Sequence, residues 1–247
     1  YAAATYQRGI PFVQLPTTLL SMVDSSFGGK LGIDFAGVKN TIGVFQDPKM
    51  VGICPEFLAT LPARELRSGF AEMAKHALIS SKNSWDFLKN SPISLDLDWP
   101  ALITDSILVK KTVVETDPFE QGLRKILNFG HTIGHALESH FLGKENPLLH
   151  GEAIAIGMVC ESWISWKFGS LTDAELDEIT AFFLKFFGKT TWPEAENPEI
   201  LALLQHDKKN FGAEIRFALL KNIGAAVWDV PVRERAILES LRFYQRL

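Results

Sequence analysis

Along the first sixty residues, short apolar runs alternate with Gly, Pro and hydroxyl side chains; residues 10–15 form one such run, closed by Pro16. This pattern predicts strands joined by phosphate-type loops in an α/β unit. From Ala63 onward apolar positions return every three or four residues, which predicts amphipathic helices over 63–80, 99–115, 122–141, 151–166 and 172–187. Asp98 ahead of Trp99-Pro100 and Thr172 ahead of Asp173 supply start signals, and Gly143 and Gly169 supply stops. Residues 214–220 and 225–230 flank Lys221-Asn222-Ile223-Gly224 and predict a β-hairpin. The change of texture near Leu61-Pro62 divides the chain into an α/β unit over residues 1–61 and a helical unit over 62–247 that ends in the hairpin.

Composition narrows the class. The 247 residues can bury a large core. Lys and Arg total 25 against 29 Asp and Glu, a net charge of −4, so bulk charge points neither to nucleic acid nor to an anionic membrane. Apolar stretches such as 153–160 are far shorter than the roughly 20 residues of a membrane span, and no signal peptide is evident. Two cysteines, Cys54 and Cys160, are too few for a disulfide scaffold, so a reducing, cytoplasmic setting is expected. The chain opens on Tyr1 in the middle of a pattern, from which a preceding N-terminal portion is expected.

Chemistry concentrates on the predicted helices. His131 and His135 stand four apart on one helical face, with Arg124 and Asn128 stacked on the same face. Two imidazoles so spaced fit either a metal site or a solvated pair. Gly130 and Gly134 each cost about 1 kcal/mol inside a helix, so something must approach the backbone there. His150 begins a helix after Pro147. Glu72 and Lys75 would make only a weak pair on a surface, but their neighbours Phe70, Ala71, Met73 and Ala74 argue that they face a site. Residues 17–30 and 37–40 mix small residues, hydroxyls and lysines, a combination that lays N–H groups and ammonium charges against an anion. It is not the ATPase phosphate loop, because Leu31 follows Gly29-Lys30.

In order, the segments MVDSSFGGKLGID, GVKNTIGVF, ELRSGFAEMAKHALI, VVETDPFEQGLRKILNFGHTIGHALE, LLHGEAIAIGM and HDKKNFGAEIRFALLKNIG resemble the 3-dehydroquinate synthases of the shikimate pathway, from Tyr6 to about Gly224. The resemblance implies an α/β plus all-α fold: the remainder of a Rossmann-like NAD-binding domain followed by a C-terminal helical metal-binding domain, with the active site in the cleft. It implies NAD and a divalent metal, Zn2+ or Co2+, held by Glu72, His131 and His150. It places Asp24, Lys75, Asn128 and His135 in catalysis, and Arg8, Lys30, Asn40, Lys110, Arg124 and Lys208 or Lys209 on the substrate, Arg8 reaching the neighbouring subunit's site in a homodimer. It assigns NAD to Thr17, Thr18, Lys30, Lys39 and the stretch Phe57, Leu58, Ala59 and Thr60.

The substrate so implied, 3-deoxy-D-arabino-heptulosonate 7-phosphate, carries a carboxylate and a phosphate, which explains the clustered cations. Oxidation of the C5 hydroxyl by NAD acidifies the C6 proton, phosphate leaves, the hydride returns, and ring opening with an intramolecular aldol closure gives 3-dehydroquinate. Arg124 and Lys110 are expected to serve the substrate anions rather than the fold. Three other readings compete: a sister sugar-phosphate cyclase, a metal-dependent polyol dehydrogenase of related fold, and a non-catalytic metal-binding fragment. The family's Gly-rich nucleotide turn has no counterpart after Tyr1, so residues 1–247 alone are expected to bind NAD poorly, to expose a sheet edge near residues 10–15 and to show little activity.

Overall fold

The computed structural model describes residues 1–35, 38–91, 93, 97–206 and 214–247, and for 34, 38–40, 205 and 206 the backbone alone. The first unit opens with α1 (Ala2–Thr5) and carries a short parallel pair, β1 (Val13–Gln14) with β4 (Met50–Val51). Between them lie a π-helical turn, Ser21–Ser25, and an antiparallel hairpin of β2 (Lys30–Phe35) and β3 (Val38–Phe45). Of the two stretches read as an anion-binding loop, residues 17–30 carry the π-helical turn and reach the hairpin only at Lys30, its first residue, whereas residues 38–40 belong to β3. Val13 and Leu15 are exposed beside the parallel pair.

Helices follow: α2 (Ala63–Ser80), α3 (Lys82–Asn90), α4 (Trp99–Thr116), α5 (His131–Phe141), α6 (His150–Lys167), α7 (Asp173–Phe187), α8 (Asn197–His206) and α9 (Glu234–Arg246). The hairpin of β5 (Glu214–Asn222) and β6 (Ala225–Arg233) precedes α9. Asp98 and Thr172 cap α4 and α7 by accepting from the N–H groups of Ala101 and Glu175. Helix α6 is buried on every side from Ala153 to Ser165, the property of a helix at the centre of a core. It packs against α2, α5, α7 and α9. No helix among the described residues is long and apolar enough to cross a membrane.

One predicted helix is wrong in a way that matters. Residues 122–141 do not form a continuous helix: Leu123–Asn128 make a 3-10 turn, Gly130 adopts φ 81°, and α5 starts afresh at His131. Arg124 and Asn128 are therefore not stacked on the helix of His131. The cause is the approach of α6. A side chain at 130 would meet Met158 and the Ile154 carbonyl, and one at 134 would lie 2.7 Å from Ile154 Cδ1. What comes close to these two glycines is thus the protein's own core helix.

Candidate active site

Three elements bring Glu72, His131 and His150 together. Glu72 lies in the middle of α2 and is fully buried; His131 and His150 are the first residues of α5 and α6. The packing of α2 on α6, where the Gly151 N–H donates to Ser68 Oγ at 3.0 Å, sets His150 beside Glu72. Nε2 of each imidazole lies 3.4 Å from Glu72 Oε1. Lys75 pairs with Oε2, yet neither carboxylate oxygen has a hydrogen bond of good geometry. A buried carboxylate in that condition is costly unless a cation completes it. The outer nitrogens fix the rings. His131 Nδ1 donates to the Phe129 carbonyl at 3.2 Å, and His150 Nδ1 lies 3.3 Å from Glu138 Oε2. Both arrangements turn the Nε2 lone pairs inward, the way imidazoles are oriented for a metal. One carboxylate and two imidazoles suit Zn2+ or Co2+ and leave positions open for substrate oxygens.

The electrostatics agree. Burial alone would raise the Glu72 carboxyl, but Lys75, His131 and His150 outweigh it and hold it well below the usual range. Burial and then Lys75 push His131 well below its ordinary value, so its ring is neutral and ready to ligate. For His150 burial is outweighed by Glu138 and Glu72, which bring it to about 9; a metal must displace that proton.

The triad opens into a cavity of about 750 Å3 whose walls include Asp24, Lys30, Lys75, Lys110, Arg124, Asn128, His131, His135 and His150. Asp24, on the π-helical turn, is its charge hub. Lys110 Nζ donates to Asp24 Oδ1 at 2.7 Å and to its carbonyl at 2.5 Å, while Lys75 Nζ and His76 Nε2 lie 3.8 and 3.7 Å from Oδ1. Burial would raise the Asp24 carboxyl, but Lys110 and Lys75 drive it far below. Lys30 is brought down to about 8 by burial and by Arg124 and Lys110. The His135 ring lies 5.2 Å from that of His131 and 5.9 Å from that of His150, centre to centre.

Arg124 departs from expectation. Its guanidinium is buried and donates to the carbonyls of Pro118 at 2.6 Å and Gly28 at 2.9 Å. It therefore ties the loop before β2 to the turn before α5, and serves the fold as well as lining the cavity. Other predicted residues stand elsewhere. Arg8, Thr17, Phe57, Ala59 and Thr60 are exposed and do not line the cavity. Thr18 Oγ1 donates to Ser21 Oγ at 2.9 Å and accepts from the Ser21 N–H. The Leu58 side chain is buried in the core, which leaves its backbone for any cofactor contact. The side chains of Lys39 and Asn40, and all of Lys208 and Lys209, lie outside the described residues.

Three participants escaped the sequence reading. Glu138 stands behind His150. Glu120 lines the cavity, accepts from Asn128 Nδ2 at 2.6 Å and pairs with Lys30. His76, buried beside Asp24, bonds Ser106 Oγ through Nδ1 at 2.7 Å. Glu138 had a signal, its place three residues after His135 on one face, and so had His76, four residues after Glu72 in the same apolar stretch; Glu120 had none. A further cavity of about 470 Å3, with Arg64, Phe141, Glu152 and Tyr244 in its walls, holds none of this chemistry.

Comparison with known proteins agrees with the geometry. Residues 1–68 match the model of the 3-dehydroquinate synthase N-terminal domain and 69–210 that of the C-terminal domain. The chain is 41% identical to a 3-dehydroquinate synthase of Parabacteroides distasonis over 251 residues, covering 99% of this chain and 70% of that protein. It is also 41% identical to one from Leptospira interrogans, covering 98% and 67%. Among solved structures, a 2-epi-5-epi-valiolone synthase from Streptomyces hygroscopicus with NAD+ and Zn2+ bound superposes with a TM-score of 0.88 at 30% identity, covering 99% of this chain and 69% of that one. A 2-deoxy-scyllo-inosose synthase complexed with carbaglucose-6-phosphate, NAD+ and Co2+ gives 0.84 at 27% identity, covering 98% and 69%. With two family models side by side and two relatives above 40% identity, the chain belongs to the 3-dehydroquinate synthase family.

Proposed function

We propose that this chain is a 3-dehydroquinate synthase, a phosphate-eliminating lyase that turns 3-deoxy-D-arabino-heptulosonate 7-phosphate into 3-dehydroquinate and phosphate. One observation carries the reading: a single cavity joins the Glu72, His131 and His150 cluster to the cations Lys30, Lys75, Lys110 and Arg124. A substrate with two anionic ends and vicinal hydroxyls needs both halves. When bound, the divalent metal supplies a Lewis acid for the substrate alcohol, and NAD supplies an acceptor that takes a hydride and gives it back.

The chain's own residues do the rest. Glu72, His131 and His150 hold the metal. Lys30, Lys110 and Arg124 bind the phosphate and carboxylate, Arg124 from a guanidinium already locked in place by two carbonyls. Asp24 gives up Lys110 to the substrate and, still ionised, accepts a hydrogen bond from a substrate hydroxyl in exchange, while Lys75 holds Glu72 charged from beneath. Asn128, oriented by Glu120, donates to substrate oxygen. His135 stands beside both ligand imidazoles as the base for the hydroxyl proton. Elimination, ring opening and aldol closure then need only an enclosed volume and a held conformation.

Thr17, Thr18, Lys30, Lys39 and residues 57–60 are proposed NAD contacts, Asn40 and Lys208 or Lys209 further substrate contacts, and Arg8 a contributor across a homodimer. The two free cysteines, Cys54 and Cys160, suit a cytoplasmic enzyme. Product analysis with the heptulosonate phosphate, NAD and Zn2+ is the test. Equal amounts of 3-dehydroquinate and phosphate support the reading; turnover only of a sugar phosphate that lacks the carboxylate would assign the chain to a sister cyclase.

A further inference from the structure

Glu161 lies on α6 and does not line the cavity, yet its fully buried carboxylate reaches the start of α5. Oε2 accepts from the Gly130 N–H at 2.6 Å and Oε1 from the Ile133 N–H at 3.0 Å. These donors belong to the exposed set that every helix N-terminus leaves unmatched, and here the end is buried, with Phe129 and Ile133 both inaccessible. A local cap is not possible, because residue 130 has room for no side chain against Met158 and Ile154. The acceptor comes instead from the neighbouring helix, as a charge at the positive end of the α5 dipole.

The residue between the two anchored positions is the metal ligand. His131 follows Gly130, and its Nδ1 is held by the carbonyl of Phe129, the residue before it. A shift of this turn therefore moves both the imidazole and the group that sets its tautomer. Helix α6 also carries His150 at its first residue, eleven positions before Glu161, about 16 Å along the same rod. One rigid helix thus sets one ligand directly and the other through a carboxylate clamp. Resting on the metal-site reading above, we infer that Glu161 is a positioning residue for the metal, fixing His131 Nε2 opposite Glu72 so that the bound ion meets a preformed site.

Contacts that hold a ligand side chain in place change metal affinity by about 10- to 100-fold when removed. The test is zinc affinity measured by chelator competition on folded protein, for the parent chain, Glu161→Gln and Glu161→Asp. Gln keeps the size but loses the charge and one acceptor; Asp keeps the charge but falls short of both N–H groups. Each is expected to bind zinc at least about tenfold more weakly. Ser240→Ala, which removes a buried hydroxyl bonded to the Ile237 carbonyl in α9, should leave zinc affinity unchanged. A parent that takes up no zinc sinks the metal site and this inference with it. A parent that binds zinc, with Glu161 variants less than tenfold weaker, overturns the clamp alone and leaves Glu161 a purely structural cap. Should both variants fail to fold, amide exchange in the parent decides: zinc should slow exchange at Gly130 and Ile133 by linkage, and unchanged exchange at both overturns the inference.

Discussion

Glu138 Oε2 lies 3.3 Å from Nδ1 of His150, on the side of that imidazole away from Glu72. The pair forms a carboxylate–histidine relay aimed at the proposed metal position, and Glu138 would raise the basicity of the nitrogen that ligates there. Glu138→Gln is expected to weaken zinc binding by about tenfold while leaving the fold intact. Competition titration against a chromogenic chelator measures this.

Among the described residues, Asp24 is the one carboxylate paired with both Lys75 and Lys110, and His76 stands beside it. Asp24→Asn leaves two buried ammonium groups with one fewer counter-charge. The expected cost to the metal-free chain is about 3 kcal/mol, read by urea denaturation, with synthase activity lost in parallel. An unchanged unfolding midpoint would mean that Glu72 alone compensates both lysines.

Arg124→Lys keeps the charge and loses the planar fork that reaches Pro118 and Gly28. Stability is expected to fall by about 1 to 2 kcal/mol and kcat/KM by on the order of 100-fold, because the cavity wall formed by the Gly28 loop is no longer fixed. Denaturation and steady-state kinetics on the same preparation separate the two effects.

The metal-free chain should be most stable near pH 6.5. His150 is raised to about 9 in the fold, so its contribution is fully present below 6.5 and is lost as pH climbs through 9. His76, lowered to about 3, and His131, also lowered, stay neutral in the fold while the unfolded chain takes up protons, so stability also drops as pH falls below 6.5. Unfolding free energies at pH 5, 6.5 and 9 should peak at the middle value, and His150→Ala should abolish the decline on the alkaline side.

How much of this was legible in the sequence depends on the distance between partners. Glu72 could be read because a carboxylate inside the apolar stretch of α2 has to be used for something. Pro147 marked His150 as a helix start, but only the family resemblance marked it as a ligand. The break before His131 could not, since Gly130 is left-handed on account of α6, whose contacting residues lie more than twenty positions on. Glu161 was invisible for the same reason: its two donors are 31 and 28 residues away, and in sequence it is one more polar residue in a core helix. The hairpin of β2 and β3 was missed because its glycines and lysines resemble an anion loop, while its pairing rests on register between strands. Arg124 was read for charge alone, and only the fold reveals the two carbonyls that occupy it.

If Glu72, His131 and His150 hold one divalent ion, metal analysis after exhaustive dialysis will show it. The parent chain should retain one zinc per molecule; Glu72→Gln and His131→Ala should retain almost none while keeping their helical content. Stoichiometric zinc in the His131→Ala protein would mean that the ion is held elsewhere.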